Sequence, residues 1–232
     1  MTRLDGYSLS GIWRLLRDLR IHYKRGQQHV HSPDPSYAEK AAQIGQCVQQ
    51  AREQPDEVVT LFLDEFSFYR WASVAPVYAA AGGVQPKIDL PCRYNTAGRI
   101  VSVIDAVTAQ VLYRQRAHIT VVVLADLMGD IRKAYPNAKQ IFVVQDNWHH
   151  VHFHAKQVAA AQQAGITLIA MPTYSAWLNP IEKLWRKLKQ EILHMHRSGD
   201  DWDELKQRVT DFLDQFASGS PELLRYVGLL PT

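Results

Sequence analysis

Beyond Thr120 the chain alternates segments of helical apolar period with short, uninterrupted apolar runs, and that alternation leaves few folds open. A helix over about Thr120 to Tyr135 is followed by a strand over Gln140 to Gln145 (QIFVVQ) and a helix over about His154 to Ala164. A strand over Ile166 to Ala170 (ITLIA) and a long helix from Pro180 to about His196 complete the block. Strands separated by helices run parallel, and parallel strands are buried on both faces. The material before this block is strand-rich: Val58 to Asp64 (VVTLFLD), Phe66 to Ser73, Arg99 to Asp105 (RIVSVID) and Val111 to Arg114 are β-branched or aromatic runs. Antiparallel strands first and βα units afterwards predict an α/β fold, with one mixed sheet covered by helices on both faces. Asp200 to Phe216 reads as a further helix.

Residues 1–55 read as a small helical segment and linker, set apart from a main domain over residues 56–232. Ser10 to Arg20 places Ile12, Leu15, Leu16 and Leu19 on one stripe, with Ser10 as N-cap and Arg14, Arg17 and Arg20 elsewhere on the surface. A polar stretch from His22 ends in Pro33-Asp34-Pro35, after which Ser36 to Glu53 reads as a second helix. With 47% hydrophobic and 21% charged residues the composition is that of a globular protein, not of a disordered or fibrous one. The formal charge is only +3, so any nucleic-acid role must come from local clustering; Arg14, Arg17, Arg20, Lys24 and Arg25 form one such cluster. Two cysteines, Cys47 and Cys92, make neither a disulfide framework nor a CxxC site. With no leader and no membrane span in view, a cytoplasmic protein is the expectation.

Three acids stand at element ends. Asp64 closes the first apolar run, Asp146 follows the strand IFVVQ, and Glu182 opens the long helix. A carboxylate delivered at the C-terminal end of an apolar strand lies at the sheet rim, where ligands of α/β sheets bind. Carboxylates that converge there repel, and a hard divalent cation, Mg²⁺ or Mn²⁺, relieves the repulsion. A pair of such ions activates a water or a 3′-hydroxyl and stabilises the leaving oxygen, which is the chemistry of phosphodiester cleavage and strand transfer. Taken singly, Asp64 and Asp146 read as strand-end turn residues. Glu182 alone reads as a helix-start glutamate, with Asn179 at N-cap and Pro180 at N1. The joint pattern points to a site.

LFLDEFSFYR, VVQDNWHHVHFH and MPTYSAWLNPIEKLWRKLK resemble the three signature blocks of the IS630 group within the IS630/Tc1/mariner transposases. The third block is the most specific: Tyr174-Ser175, Leu178-Asn179-Pro180-Ile181-Glu182, Trp185 and Leu188-Lys189 stand where the family pattern has them. The resemblance covers about Val58 to His196. It implies an RNase H-like catalytic domain and a DDE metal triad falling on Asp64, Asp146 and Glu182. It further implies Mg²⁺ or Mn²⁺, two ions, and double-stranded DNA as partner, namely terminal inverted repeats and target. Ala176 stands where the family usually has proline, and the interval from Asp146 to Glu182 is one residue longer than the pattern, with the extra residue in the His149-His150 pair. Full-length relatives begin with two helix-turn-helix units, whereas Tyr7 to Gly26 resembles at most the last recognition helix and its basic tail. The chain then reads as the downstream frame of a split element or as a truncated copy.

Other residues weigh less. His149, His150, His152 and His154 suggest zinc, but no cysteine pair or HExxH accompanies them; an auxiliary metal or phosphate contact from His150 is the better reading. Asn147 either orients Asp146 or caps a turn. Ile181, Leu184, Trp185, Leu188 and Ile192 follow the core period of the long helix, which makes Trp185 a packing residue. Arg186 and Lys189 share the side of Glu182, where phosphates would lie. Glu65 points to the opposite strand face from Asp64. The leading expectation is a metal-dependent transposase catalytic domain acting as a homodimer. The alternatives are a cut-down relative that binds DNA or an intact transposase without cutting, and a general RNase H-like nuclease.

Overall fold

The structure, a computed structural model, describes residues 6, 8–23, 31–88, 90–147 and 153–230. The chain forms two compact units, Met1–His31 and Ser32–Thr232. In the first, α1 spans Leu9–Asp18 and is capped by Ser8, whose hydroxyl accepts the Gly11 N–H at 3.1 Å. The cap is therefore Ser8, two residues ahead of the expected Ser10. None of the α1 residues is buried, and Leu9, Trp13, Leu15 and Leu16 of its apolar stripe are exposed. Arg14, Arg17 and Arg20 are exposed, and Arg17 lies 5.1 Å over the Trp13 ring. Lys24 and Arg25 lie outside the described residues.

The second unit begins ahead of α2 (Tyr37–Glu53), not near residue 55. Ile44, Cys47 and Ala51, three or four residues apart, bury one face of α2, and the Thr60 hydroxyl donates to the Cys47 carbonyl at 2.8 Å. This burial joins α2 to the sheet. The strands are β1 (Val58–Tyr69), β2 (Ala97–Asp105), β3 (Val111–Arg116), β4 (Gln140–Gln145) and β5 (Ile166–Ala170), in the order β3-β2-β1-β4-β5. β1 pairs antiparallel with β2 and parallel with β4, and β4 pairs parallel with β5, which makes the mixed sheet the residue pattern predicts.

One correction concerns β1. Val58 to Asp64 and Phe66 to Ser73 are not two strands; a single twelve-residue strand runs through Asp64 and Glu65, paired with Ser102 and Val101 of β2. Carboxylates are poor strand formers, but a complete ladder on a central strand overrides that preference. Alternation then sorts β1 into two faces. Phe62, Phe66 and Phe68 join a core with α2, α5 (Ile181–Leu188), α6 (Trp202–Asp214) and α7 (Pro221–Val227). Val59, Leu61 and Leu63 join a core with α3 (Val121–Ala134) and α4 (Ala155–Gln163).

The expected long helix also differs. α5 is regular only to Leu188 and continues as a π turn, Lys189–Leu193, which ends where Met195 donates its N–H to the Ser73 carbonyl at 3.0 Å. The wider turn shifts the phase, so Leu193 is buried where the helical period points to Ile192. α7 has no counterpart in the sequence reading. Its start is nevertheless orthodox, with Ser220 accepting the Leu223 N–H at 3.1 Å, Pro221 next and Gly228 closing the helix in the left-handed region.

Candidate active site

Strand register brings the first two acids together. The last parallel pair between β1 and β4 is Phe62 with Val144, so Asp64 and Asp146, each two residues further on, lie at the same level of neighbouring strands. By alternation both share the face of Phe62 and Val144, the face against which α5 packs. Asp64 is thus a mid-strand residue that sits at a rim only with respect to β4, whereas Asp146 follows the true end of its strand. Glu65 belongs to the opposite face and does not line the pocket.

The third acid arrives on α5. Asn179 fixes this helix to the sheet beside Asp64: its Nδ2 donates to the Leu63 carbonyl at 3.2 Å, and its Oδ1 accepts the Ile181 N–H at 3.4 Å. The helix starts one residue later than expected, with Pro180 at the cap and Ile181 first. A cavity of about 360 Å³ results, lined by Asp64, Asp146 and Glu182 together with Asn147, Thr173 and Tyr174. Among the described residues no three His, Cys, Asp or Glu side chains close around a common point, so the acids share a pocket rather than a formed coordination sphere.

Electrostatics single out Asp64. Burial, then the charge of Glu182, push its carboxyl up to about 7 from 3.8. Trp185 opposes the shift by donating its Nε1–H to Asp64 Oδ2 at 3.0 Å. Trp185 is the buried packing residue its spacing implies, stacked on Phe66 with ring centroids 5.1 Å apart, but its polar edge is a second function that the sequence reading missed. The available signal was its position three residues after Glu182, which puts both on one side of the helix. Asp146 accepts the backbone N–H of Asn147 on Oδ1 at 2.6 Å, a contact that does not involve the Asn147 side chain, whose Nδ2 lies 3.4 Å from the Thr173 hydroxyl.

The remaining expected residues divide. Arg186 and Lys189 are exposed and do not line the cavity; the Lys189 ammonium lies 5.1 Å from the Phe66 ring centre. His154 caps α4, its Nδ1 accepting the Lys156 N–H at 3.2 Å. His149, His150 and His152 lie outside the described residues, as does any metal role for them. Chemically, the pocket offers hard oxygen donors, one carboxyl whose ionisation is displaced to about 7, and an exposed aromatic ring at Tyr174.

Comparison with known proteins bears on the fold and the family. A protein described as "Insertion element IS630 uncharacterized 39 kDa protein" from Shigella sonnei is 28% identical over 88 residues, covering 38% of this chain and a quarter of that protein. Among solved structures, the Mos1 transposase paired-end complex with left transposon end superposes with a TM-score of 0.68 at 14% identity, covering 96% of this chain and 67% of the other. The Mos1 mariner paired-end complex with Mn gives 0.66 at 15% identity, covering 97% and 68%. These likenesses establish the fold, an RNase H-like mixed sheet with helices. The family profile of the DDE superfamily endonucleases matches residues 40–206, and the chain belongs to that family.

Proposed function

We propose that the chain is the catalytic domain of a transposase that cleaves DNA phosphodiesters at the ends of an insertion element and joins the resulting 3′-hydroxyls to target DNA. The observation that carries this reading is the register of β1 and β4. It sets Asp64 and Asp146 side by side on the face that α5 covers, with Glu182 across the same pocket. The donor set fits Mg²⁺ or Mn²⁺: all three side chains are hard oxygen ligands, and the ionisation of Asp64 is opposed by burial and by the charge of Glu182. Two such ions, when bound, supply an activated oxygen nucleophile and stabilisation of the leaving oxygen. The Mos1 complex solved with Mn supports the same class of metal.

The chain's own residues do the positioning. Asn179 holds α5 against β1, Trp185 orients Asp64, and Asn147 contacts Asp146. Arg186 and Lys189, exposed on and just after α5, hold the phosphate backbone near the pocket. Arg14 and Arg17 of α1, Arg20 just after it, and Lys24 and Arg25 hold a further stretch of duplex. Because two element ends must meet, the working form is a homodimer. Among the described residues no helix is long and apolar enough to cross a membrane.

The test is nicking of supercoiled plasmid, and of a labelled duplex carrying the element end, in Mg²⁺ or Mn²⁺. Asp146→Asn is expected to abolish cleavage while leaving the DNA mobility shift intact. Binding without cleavage by the wild type would favour the cut-down relative. Equal cleavage of DNA and RNA lacking the element end would favour a general nuclease.

A further inference from the structure

We infer that Asp34, in the segment ahead of α2, is a positioning residue for Asp146 and acts on it through Thr173 and Asn147. The inference rests on the reading of the three acids as a metal site. Asp146 lies one residue beyond β4, which ends at Gln145, whose pairing with Ala170 is the last of the β4–β5 ladder. A second framework reaches this position from the other side of the pocket.

The Asp34 side chain is only 5% exposed. Its Oδ1 accepts the Ser36 N–H at 2.9 Å, an ordinary local turn ahead of a helix. Its Oδ2 does something a local turn does not require. It accepts the Lys40 ammonium at 2.7 Å and the Thr173 N–H at 3.0 Å, and Thr173 lines the pocket. Ser32 grips the same residue from its other side, its hydroxyl donating to the Thr173 carbonyl at 2.5 Å. With both backbone groups of Thr173 held, its hydroxyl oxygen is presented to Asn147, whose Nδ2 lies 3.4 Å away. The N–H of the same Asn147 donates to Asp146 Oδ1 at 2.6 Å. The chain of contacts therefore runs Lys40, Asp34, Thr173, Asn147, Asp146.

Two further observations mark this wall of the pocket as held in place. Tyr174, next after Thr173, has φ +53°, a region that side-chain-bearing residues adopt at a cost and keep only where their surroundings impose it. Trp177 donates its Nε1–H to the Tyr37 hydroxyl at 3.1 Å, a second tie between the start of α2 and the same loop. Lys40 and the Thr173 N–H hold the Asp34 carboxyl down to about 2, so the grip is ionised throughout the working range of pH.

The test measures Mn²⁺ binding to the full chain without DNA, by the electron paramagnetic resonance signal of free Mn²⁺, alongside the Mn²⁺ concentration for half-maximal plasmid nicking. Asp34→Asn removes the charge; Thr173→Val removes the hydroxyl and keeps the shape; Thr173→Ser restores the hydroxyl. Asp34→Asn and Thr173→Val are expected to weaken Mn²⁺ binding about tenfold, as loss of a metal-orienting partner does. Thr173→Ser is expected to bind within about twofold of wild type, and Thr173→Val to keep the metal-free melting midpoint. Wild-type Mn²⁺ binding in both folded variants overturns the inference and leaves the metal site standing. So does a Thr173→Ser protein as weak as Thr173→Val. A wild type that binds no Mn²⁺ overturns the metal reading itself, and the inference with it.

Discussion

Replacing Asp64 by Asn should make the metal-free protein more stable, by an amount that grows with pH. The carboxyl is displaced from 3.8 to about 7, burial being the larger cause and Glu182 the next. At 1.36 kcal/mol per pH unit this amounts to about 4 kcal/mol. The sign follows from the direction. The folded state holds the Asp64 proton up to about pH 7, whereas the unfolded chain releases it near 3.8. The wild type is therefore unpenalised below 3.8, loses stability progressively as pH rises, and carries the whole penalty above 7. Asparagine has no charge to bury, and its Oδ1 still accepts the Trp185 N–H. In EDTA the variant should exceed the wild type by at most about 4 kcal/mol at pH 8, by about 1–2 kcal/mol at pH 5, and by only about 0.5 kcal/mol at pH 4. For a domain of this size that is about 8–16 °C in melting temperature at pH 8. Circular dichroism melts from pH 4 to 8 measure it directly. Added Mn²⁺ should raise the wild-type midpoint at pH 8 and leave Asp64→Asn unmoved, because the cation relieves a penalty that the variant no longer has. A variant less stable than wild type at every pH, or a difference that ignores pH, would refute the assignment of Asp64 as a buried, uncompensated carboxylate.

Further outcomes follow from the same geometry. Trp185→Phe keeps the stacking on Phe66 but removes the N–H that holds Asp64 down, so the pH at which Mn²⁺-dependent nicking reaches half its maximum should move upward; an unshifted profile would show that the contact does not tune the carboxyl. Arg186→Gln and Lys189→Gln should weaken duplex binding without regard to sequence and lower the slope of log affinity against log salt by about 0.9 each, read by fluorescence anisotropy across a salt series. The π turn predicts that Leu193→Ala costs about 2–5 kcal/mol in urea unfolding and Ile192→Ala clearly less. Equal costs would restore the regular helix that the spacing suggests.

What the residues reveal on their own, and what they conceal, has a common physical basis. β4 was legible to the residue because it is one unbroken apolar run, IFVV, between polar flanks, and β5 because its β-branched run ITLIA is bounded by Gly165 and Pro172, though as an edge strand it leaves Thr167 exposed. α3 and α4 were legible because period and cap coincide at Thr120 and His154. The π turn was invisible, since one wide turn changes the phase only once and leaves no repeat to detect. α7 was invisible because it is too short to show a period. The contacts that build the site are long-range. Trp185 with Asp64 spans 121 positions, and Thr173 with Asp34 spans 139, and no local pattern encodes either.

Of the local misreadings, the one in β1 is the most informative. Asp64-Glu65 looked like the end of a strand because two carboxylates seldom sit inside one, yet the ladder to β2 runs straight through them. A charge that breaks a local rule and is retained at a central strand needs a compensating role elsewhere. Here the two carboxylates separate by alternation. Glu65 turns toward the face of Leu63, and Asp64 turns into the pocket, where burial and Glu182 make its ionisation costly until a cation arrives. A strand that ended at Asp64 would leave that carboxylate solvated on a turn, with an ordinary affinity for protons and no stored preference for a metal. Continuation of β1 to Tyr69 keeps Phe66 packed beneath Trp185 and Trp185 on Asp64, so the misfit in the strand is what gives the site its electrostatic bias.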